Sequence, residues 1–129
     1  MANQSENQHA GDWLKWEQDN LYSREKVTLV ADANDDLHYE SGTVLGKITS
    51  GGKYIAVVEG ASDGSQTPAA ILLLETTVPE DTDTEAAVIV RDAIVSRNGL
   101  TWPSTYNDAD KDTATGTFKN LGILVRDGA

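Results

Sequence analysis

Apolar and polar residues alternate along much of the chain after residue 23, and this pattern predicts a domain built from short β-strands. Residues 24–31 place apolar side chains on one face and polar ones on the other, as a half-buried strand does. Two further alternating runs, 43–49 and 53–58, flank Gly51 and Gly52. Paired glycines supply the positive φ that a tight turn needs, so these runs predict a β-hairpin.

The second half of the chain adds longer apolar runs and one helix signal. A continuous apolar run at 69–78 is typical of a buried strand, and the strong strand signal at 86–96 is interrupted by Arg91 and Asp92. This interruption predicts a bulge or a strand edge where the two charges reach water. Residues 107–112 have helix-start chemistry, but the β-branched residues and glycine that follow favour a short helix. Residues 121–125 predict a closing strand.

The first 22 residues differ from the rest. Residues 1–12 are polar and rich in Asn and Gln, whereas 13–22 contain several large apolar side chains: Trp13, Leu14, Trp16, Leu21 and Tyr22. We predict a flexible N-terminal arm over 1–22 and a single β-rich domain over 23–129. Two interpretations of the tryptophan segment remain open: it packs on its own domain, or it becomes ordered on a partner.

The charge of the chain restricts its partners. The sequence has 21 acidic and 10 basic residues, for a formal charge of −11. That charge repels phosphate, so neither nucleic acid nor an anionic membrane is expected as a partner. Any self-association would need an apolar or hydrogen-bonded interface to overcome the repulsion. The N-terminus lacks the pattern of a secretory signal and no window is apolar enough to span a bilayer, so we expect a soluble protein made in the cytoplasm.

Two acidic clusters resemble the start of a calcium-binding loop. Asp108, Asp110 and Asp112 form one cluster, and Asp32, Asn34 and Asp36 form the other. Neither continues with the glycine and the bidentate glutamate that such a loop requires. Acids in turns and at helix N-termini explain both clusters, and no metal site is predicted.

Catalytic motifs are equally weak. The chain has no cysteine, and its two histidines, His9 and His38, lie in the polar tail and in an acidic loop. No nucleophile elbow or phosphate-binding glycine loop is present. A pair of carboxylates could still be nominated from so many acids, but we predict no catalytic residue, no cofactor and no enzyme activity.

Several segments resemble the head decoration proteins of tailed bacteriophages, the family of the phage lambda capsid-stabilising protein. The resemblance extends from about residue 13 to residue 125 and rests on motifs that occur in this order: "SREKVTL" (23–29), "SGTVLGKIT" (41–49), "GKYIAV" (52–57), "DGS" (63–65), "AAILL" (69–73), "AVIVRDA" (87–93), "LTWP" (100–103) and "LGILVR" (121–126). The resemblance implies a mainly β, β-clip-like compact domain with one or two short helices and a flexible N-terminal arm.

The same resemblance implies a mechanical function. A homotrimer would occupy the three-fold sites of the expanded phage head, bind the major capsid protein and cement the shell against DNA pressure. The protein would then lie on the outer surface of the virion. We expect the capsid contact to involve Trp13, Leu14, Trp16 and Leu21. Trp102 and Pro103 are expected at the trimer interface or on the capsid-facing side, although Trp102 could equally serve core packing.

Two other classes of function remain open at this point. A free-standing ligand- or carbohydrate-binding β-module could use exposed tryptophans to bind sugars. A hydrolase could use carboxylates that no motif identifies. Binding to glycans in the absence of any capsid would favour the first, and turnover lost on mutating one acid would favour the second.

Overall fold

The computed structural model describes residues 10–19 and 22–127, so Leu21 lies outside the described residues. The described part is mainly β, with ten strands, one α-helix and two short 3-10 helices, and this confirms the predicted fold class. The strands are β1 (Leu14–Glu17), β2 (Arg24–Leu29), β3 (Leu37–Tyr39), β4 (Val44–Lys47), β5 (Tyr54–Ala56), β6 (Pro68–Leu72), β7 (Thr76–Val78), β8 (Thr84–Ile89), β9 (Ala93–Ser96) and β10 (Ile123–Arg126), and the α-helix is α1 (Asp108–Lys119).

Five strands form a small closed barrel in the order β2-β5-β4-β6-β8. Its hairpin of β4 and β5 confirms the prediction, with Gly51 at φ 93° and Gly52 at φ 73° in the turn. Gly46 in β4 allows a close approach, because a Cβ atom there would lie 2.3 Å from the carbonyl oxygen of Ser65. The barrel interior is filled by aliphatic side chains, including Leu29, Leu45, Leu72 and Val88.

A second sheet has the order β1-β9-β10, with β1 antiparallel and β10 parallel to the central strand β9. Its inner face packs on a second apolar core together with α1, whose Ala114 and Phe118 are buried. These two helix residues are one turn apart and therefore face the same side. Strands β3 and β7 form a separate two-stranded sheet.

The apolar run at 86–96 is divided between two sheets. Strand β8 closes the barrel and β9 is the centre of the three-stranded sheet, so the interruption at Arg91 and Asp92 is a change of sheet. Asp92 has φ 46°, and its carbonyl oxygen accepts hydrogen bonds from the hydroxyl of Ser23 (2.9 Å) and the amide of Gln18 (3.1 Å). The change of sheet at Asp92 is therefore stabilised by contacts with residues distant in sequence. The local pattern of apolar and polar residues does not predict such contacts.

Three more features differ from the sequence-based expectation. Strand β3 contains His38 and therefore lies within the acidic segment that was expected to be a loop, and the apolar run at 69–78 contains both β6 and β7. Helix α1 extends over 12 residues despite its β-branched residues and its glycine. Its threonine hydroxyls, such as that of Thr115, are satisfied by backbone carbonyls one turn earlier. The helix is stabilised by tertiary packing of its buried face, which helix propensity does not include.

The start of α1 accounts for one of the two acidic clusters. Asn107 and Asp110 form a capping box, in which each side chain accepts a hydrogen bond from the backbone amide of the other residue. Asp112 pairs with Arg97 at 2.6 Å. In the other cluster, Asp36 accepts a hydrogen bond from the Glu80 amide at 2.7 Å. These acids therefore have structural partners of the kind expected from caps and turns.

Trp13 joins the N-terminal segment to the body of the protein. Its side chain is 0% exposed, and its Nε1 donates a hydrogen bond of 2.9 Å to the Ser41 hydroxyl. That hydroxyl donates in turn to the carbonyl oxygen of Leu73 at 2.7 Å. Gly99 permits this packing, because a Cβ atom there would lie 2.8 Å from the Cβ of Trp13.

We predict that Trp13→Ala lowers the free energy of unfolding by about 3–5 kcal/mol, because it leaves a large cavity in the core. Trp13→Phe keeps most of the ring but removes the donor to Ser41, so its loss should be smaller. Urea denaturation followed by circular dichroism measures both. A loss below about 1 kcal/mol for Trp13→Ala would contradict burial of this side chain.

Candidate protein-binding surfaces

The outer face of the three-stranded sheet carries a row of apolar side chains. Trp16 of β1 is paired with Ile94 of β9, and Ile94 is paired with Leu124 of β10. Paired residues point to the same side of a sheet, so the three side chains lie side by side across it. Trp16 is 49% exposed, and the other two are partly buried. We call Trp16, Ile94 and Leu124 the apolar row.

A β-bulge places Trp16 on this face. Leu14 is paired with Val95 and packs on the core, whereas Trp16 is paired with Ile94, so two residue steps on β1 match one on β9. In a regular strand Leu14 and Trp16 would face the same side. The extra residue in the bulge reverses the side to which the following residue points. Leu14 therefore faces the core and Trp16 faces outwards.

Charged side chains beside β1 are neutralised by close partners. Glu17 accepts two hydrogen bonds from the Arg24 guanidinium, at 2.9 and 2.7 Å, and this bidentate contact raises the pKa of Arg24. Arg91 pairs with Glu25, and its guanidinium lies 5.3 Å from the ring centre of the exposed Tyr22. The hydrogen bond that the Arg91 guanidinium donates to the Glu25 carboxylate is the main cause of the raised pKa of Arg91.

The four residues expected at a capsid contact occupy different environments. Trp13 is in the core, Leu14 is partly buried against it, and Trp16 is exposed. Leu21 lies outside the described residues. Among the three that are described, only Trp16 presents a large apolar surface to solvent in this structure.

A second surface surrounds Trp102 and Pro103. They line a cleft of about 190 Å³ together with residues that include Val44 and Tyr39. The Trp102 Nε1 donates to the Arg97 carbonyl oxygen at 2.9 Å, and the ring is partly buried against the core. Trp102 therefore contributes to packing and to the wall of a cleft. Burial raises the pKa of the Tyr39 phenol above its usual value.

A larger cleft, of about 330 Å³, has a more polar wall. Its lining includes Glu59, Asp110 and two threonines of α1, Thr113 and Thr117. Asp110 is engaged in the capping box described above. Tyr106 also lines this cleft, and its pKa is raised mainly by burial and further by Glu59 and Asp110. The mixed polar lining differs from the apolar row, which consists of one aromatic and two aliphatic side chains.

The described residues form a β-rich domain with an apolar row exposed on its three-stranded sheet, and exposed apolar surface of this kind is typical of contacts with other proteins. Residues 3–123 match the family of the Bacteriophage lambda head decoration protein D. The chain belongs to this family and is a phage head decoration protein, a structural component of the capsid. No curated protein gives a significant sequence match. None of the described helices is long and apolar enough to cross a membrane.

Sequence reasoning missed two members of the apolar row, Ile94 and Leu124. Each lies in a four-residue strand in which three successive residues are apolar, so alternation gives no indication of which side faces solvent. The only available signal was that such strands are apolar on both faces. A strand with two apolar faces is either buried on both sides or carries an interaction surface.

We predict that Trp16→Ala lowers the free energy of unfolding by less than about 1 kcal/mol, since substitutions of exposed side chains seldom cost more. Thermal and urea unfolding of Trp16→Ala should be compared with those of Trp13→Ala, three positions away in the same segment. Equal losses in the two variants would refute the assignment of these tryptophans to opposite sides of the segment.

Proposed function

We propose that this protein binds as a homotrimer to the three-fold sites of the expanded phage head and cements it against internal DNA pressure. Its partner would be the major capsid protein, on the outer surface of the shell. The observation that carries the proposal is an apolar row with a half-exposed tryptophan, on a chain that belongs to the head decoration family and has a charge of −11. A strongly acidic exterior also disfavours binding to nucleic acid.

The apolar row is proposed as the initial capsid contact. Large aromatic side chains that become fully desolvated at the centre of an interface contribute most of its binding energy. Trp16 is the only described tryptophan that is about half exposed, and it is flanked on the sheet by Ile94 and Leu124. Covering this row would remove apolar surface from water without disturbing the core beneath it.

Strand β1 offers a second mode of contact. It lies at one edge of its sheet, because the strand order is β1-β9-β10. An edge strand can pair with an added strand through its free backbone groups. We propose that the N-terminal arm, residues 1–22, becomes ordered on the shell by such pairing. Trp13 and Leu14 would participate only if β1 left the domain, and that rearrangement would cost the stabilisation their burial provides. Leu21 remains part of the proposed contact.

Three arms on one trimer would act together. Each arm alone would bind weakly, because ordering a flexible segment costs conformational entropy. Linking three contacts makes the second and third effectively intramolecular, which can strengthen the whole by ~10²–10⁴. Because the trimer would bind only the assembled and expanded shell, its binding would stabilise that form of the shell by mass action.

Trp102 and Pro103 are proposed to line the trimer interface or to face the capsid.

Co-sedimentation with empty heads built from the major capsid protein of the same phage tests the capsid contact. The wild-type chain should sediment with expanded heads and remain in solution with unexpanded ones. Trp16→Ala should lower the affinity for expanded heads at least 10-fold, since it removes the largest side chain of the apolar row. Leu74→Ala is a matched control, because Leu74 is also exposed but lies outside the row.

Three results would count against the proposal: absence of binding by the wild-type chain, equal binding to both forms of the head, or undiminished binding by Trp16→Ala. A comparable loss with Leu74→Ala would show that exposed apolar area in general, and not the apolar row, accounts for attachment. Circular dichroism of each variant would establish that the domain is folded.

Sedimentation velocity tests the trimer. The wild-type chain of 13.9 kDa should sediment as a species of three times that mass, and a monomer at all accessible concentrations would exclude the proposed stoichiometry. Trp102→Ala should shift the equilibrium towards monomer if the Trp102 cleft lies at the interface. An unchanged trimer that has lost head binding would instead place Trp102 on the capsid-facing side.

A further inference from the structure

His38, Glu40 and Glu75 bring an imidazole and two carboxylates together beside the sheet of β3 and β7. Their metal-ligating atoms all lie within 4.8 Å of one another. The Nε2 atom of His38 is 2.6 Å from a carboxylate oxygen of Glu75 and 3.7 Å from one of Glu40. His38 lies on β3 and Glu40 directly follows that strand, whereas Glu75 directly precedes β7. The cluster therefore bridges two segments that are distant in sequence.

The imidazole ring is held from its opposite side. His38 is paired with Thr77 in the β3–β7 ladder, and its Nδ1 lies 3.0 Å from the Thr77 hydroxyl oxygen. With Nδ1 donating to that oxygen, Nε2 is the nitrogen available to a ligand and faces both carboxylates. A hydrogen bond to the second ring nitrogen is the usual way in which a metal-binding histidine is oriented.

Charge at this cluster favours a bound cation. A protonated imidazole with two carboxylates leaves a net charge of −1, and a neutral imidazole leaves −2. The two carboxylates lie on either side of one imidazole nitrogen, and a cation bound between them would remove their mutual repulsion. A divalent ion would neutralise both carboxylates, whereas one proton neutralises only one of them.

We propose that His38, Glu40 and Glu75 form a binding site for a divalent transition-metal ion of the Zn²⁺ class. Zinc binds imidazole nitrogen and carboxylate oxygen at about 2.0–2.2 Å, which places tetrahedral ligands roughly 3.3 Å apart. The observed separations of 2.6 and 3.7 Å lie on either side of that distance. Small rotations of these solvent-accessible side chains suffice to reach it. Calcium and magnesium prefer ligand sets made only of oxygen, so the imidazole favours zinc.

The site would brace the β3–β7 sheet. Two-stranded sheets are marginally stable by themselves, and a metal bridge between their ends would restrain both strands. His38 and Glu40 also line the cleft beside Trp102 and Pro103, so the same ion would fix one wall of that cleft. With three protein ligands, a fourth position would remain for water. This inference concerns the free protein and does not depend on capsid binding.

Isothermal titration of the full-length, EDTA-stripped chain with zinc chloride tests the site. The wild-type chain should bind one Zn²⁺ at this site, and His38→Ala and Glu75→Gln should each lower the affinity at least 10-fold. Thr77→Val, which removes the partner of Nδ1, should lower it by about 10- to 100-fold. His9→Ala removes the other imidazole of the chain, and Glu85→Gln removes a solvent-exposed carboxylate on β8, so both serve as matched controls.

Zinc should also raise the melting temperature of the wild-type chain, and this increase should disappear in His38→Ala and Glu75→Gln. The proposal is overturned if the wild-type chain shows no saturable zinc binding, or if both variants bind like the wild type. It is likewise overturned if only His9→Ala loses binding, which would place the ion in the N-terminal segment. Should His38→Ala disturb the sheet, the nearly isosteric Glu75→Gln and Glu40→Gln variants decide the question.

Discussion

The fold depends on the burial of one side chain, the indole of Trp13. This ring fills the core between the barrel and the three-stranded sheet, and its hydrogen bond to Ser41 links it to the carbonyl oxygen of Leu73 just beyond β6. An indole contributes a large apolar area and one donor, so a buried site must satisfy both. Because Trp13 immediately precedes β1, its burial fixes where that strand begins and brings it to the edge of the sheet.

This anchoring explains how one short segment contributes both to the core and to a surface. Trp13 and Leu14 pack inwards, and the bulge between Leu14 and Trp16 turns the next aromatic ring outwards beside Ile94. The segment around Trp13 is therefore packed on the domain, and its exposed Trp16 contributes one member of the apolar row. A head decoration protein needs a stable domain and an attachment surface. The proposed contact would use the apolar row as the attachment surface and would leave the core of the domain intact.

Electrostatics limits how this protein can associate. A chain with a charge of −11 repels copies of itself and other acidic surfaces, so association requires apolar burial or local pairing of charges. The paired guanidinium groups of Arg24 and Arg91 show such local pairing within the domain. The cluster of His38, Glu40 and Glu75 is a second case, in which two carboxylates surround a single imidazole. There the proposed metal ion would supply the compensating charge.

By itself, the sequence determined the β-rich class, the β4–β5 hairpin, the start of α1 and the family, since alternation, turn glycines, capping residues and ordered motifs are local signals. Only the tertiary structure decided that 86–96 changes sheet at Asp92, that Trp13 is buried while Trp16 is exposed, and that Ile94 and Leu124 lie beside Trp16. It also brought Glu75 to His38. These features depend on strand register and on contacts between distant segments, and neither is encoded in the local alternation of residues.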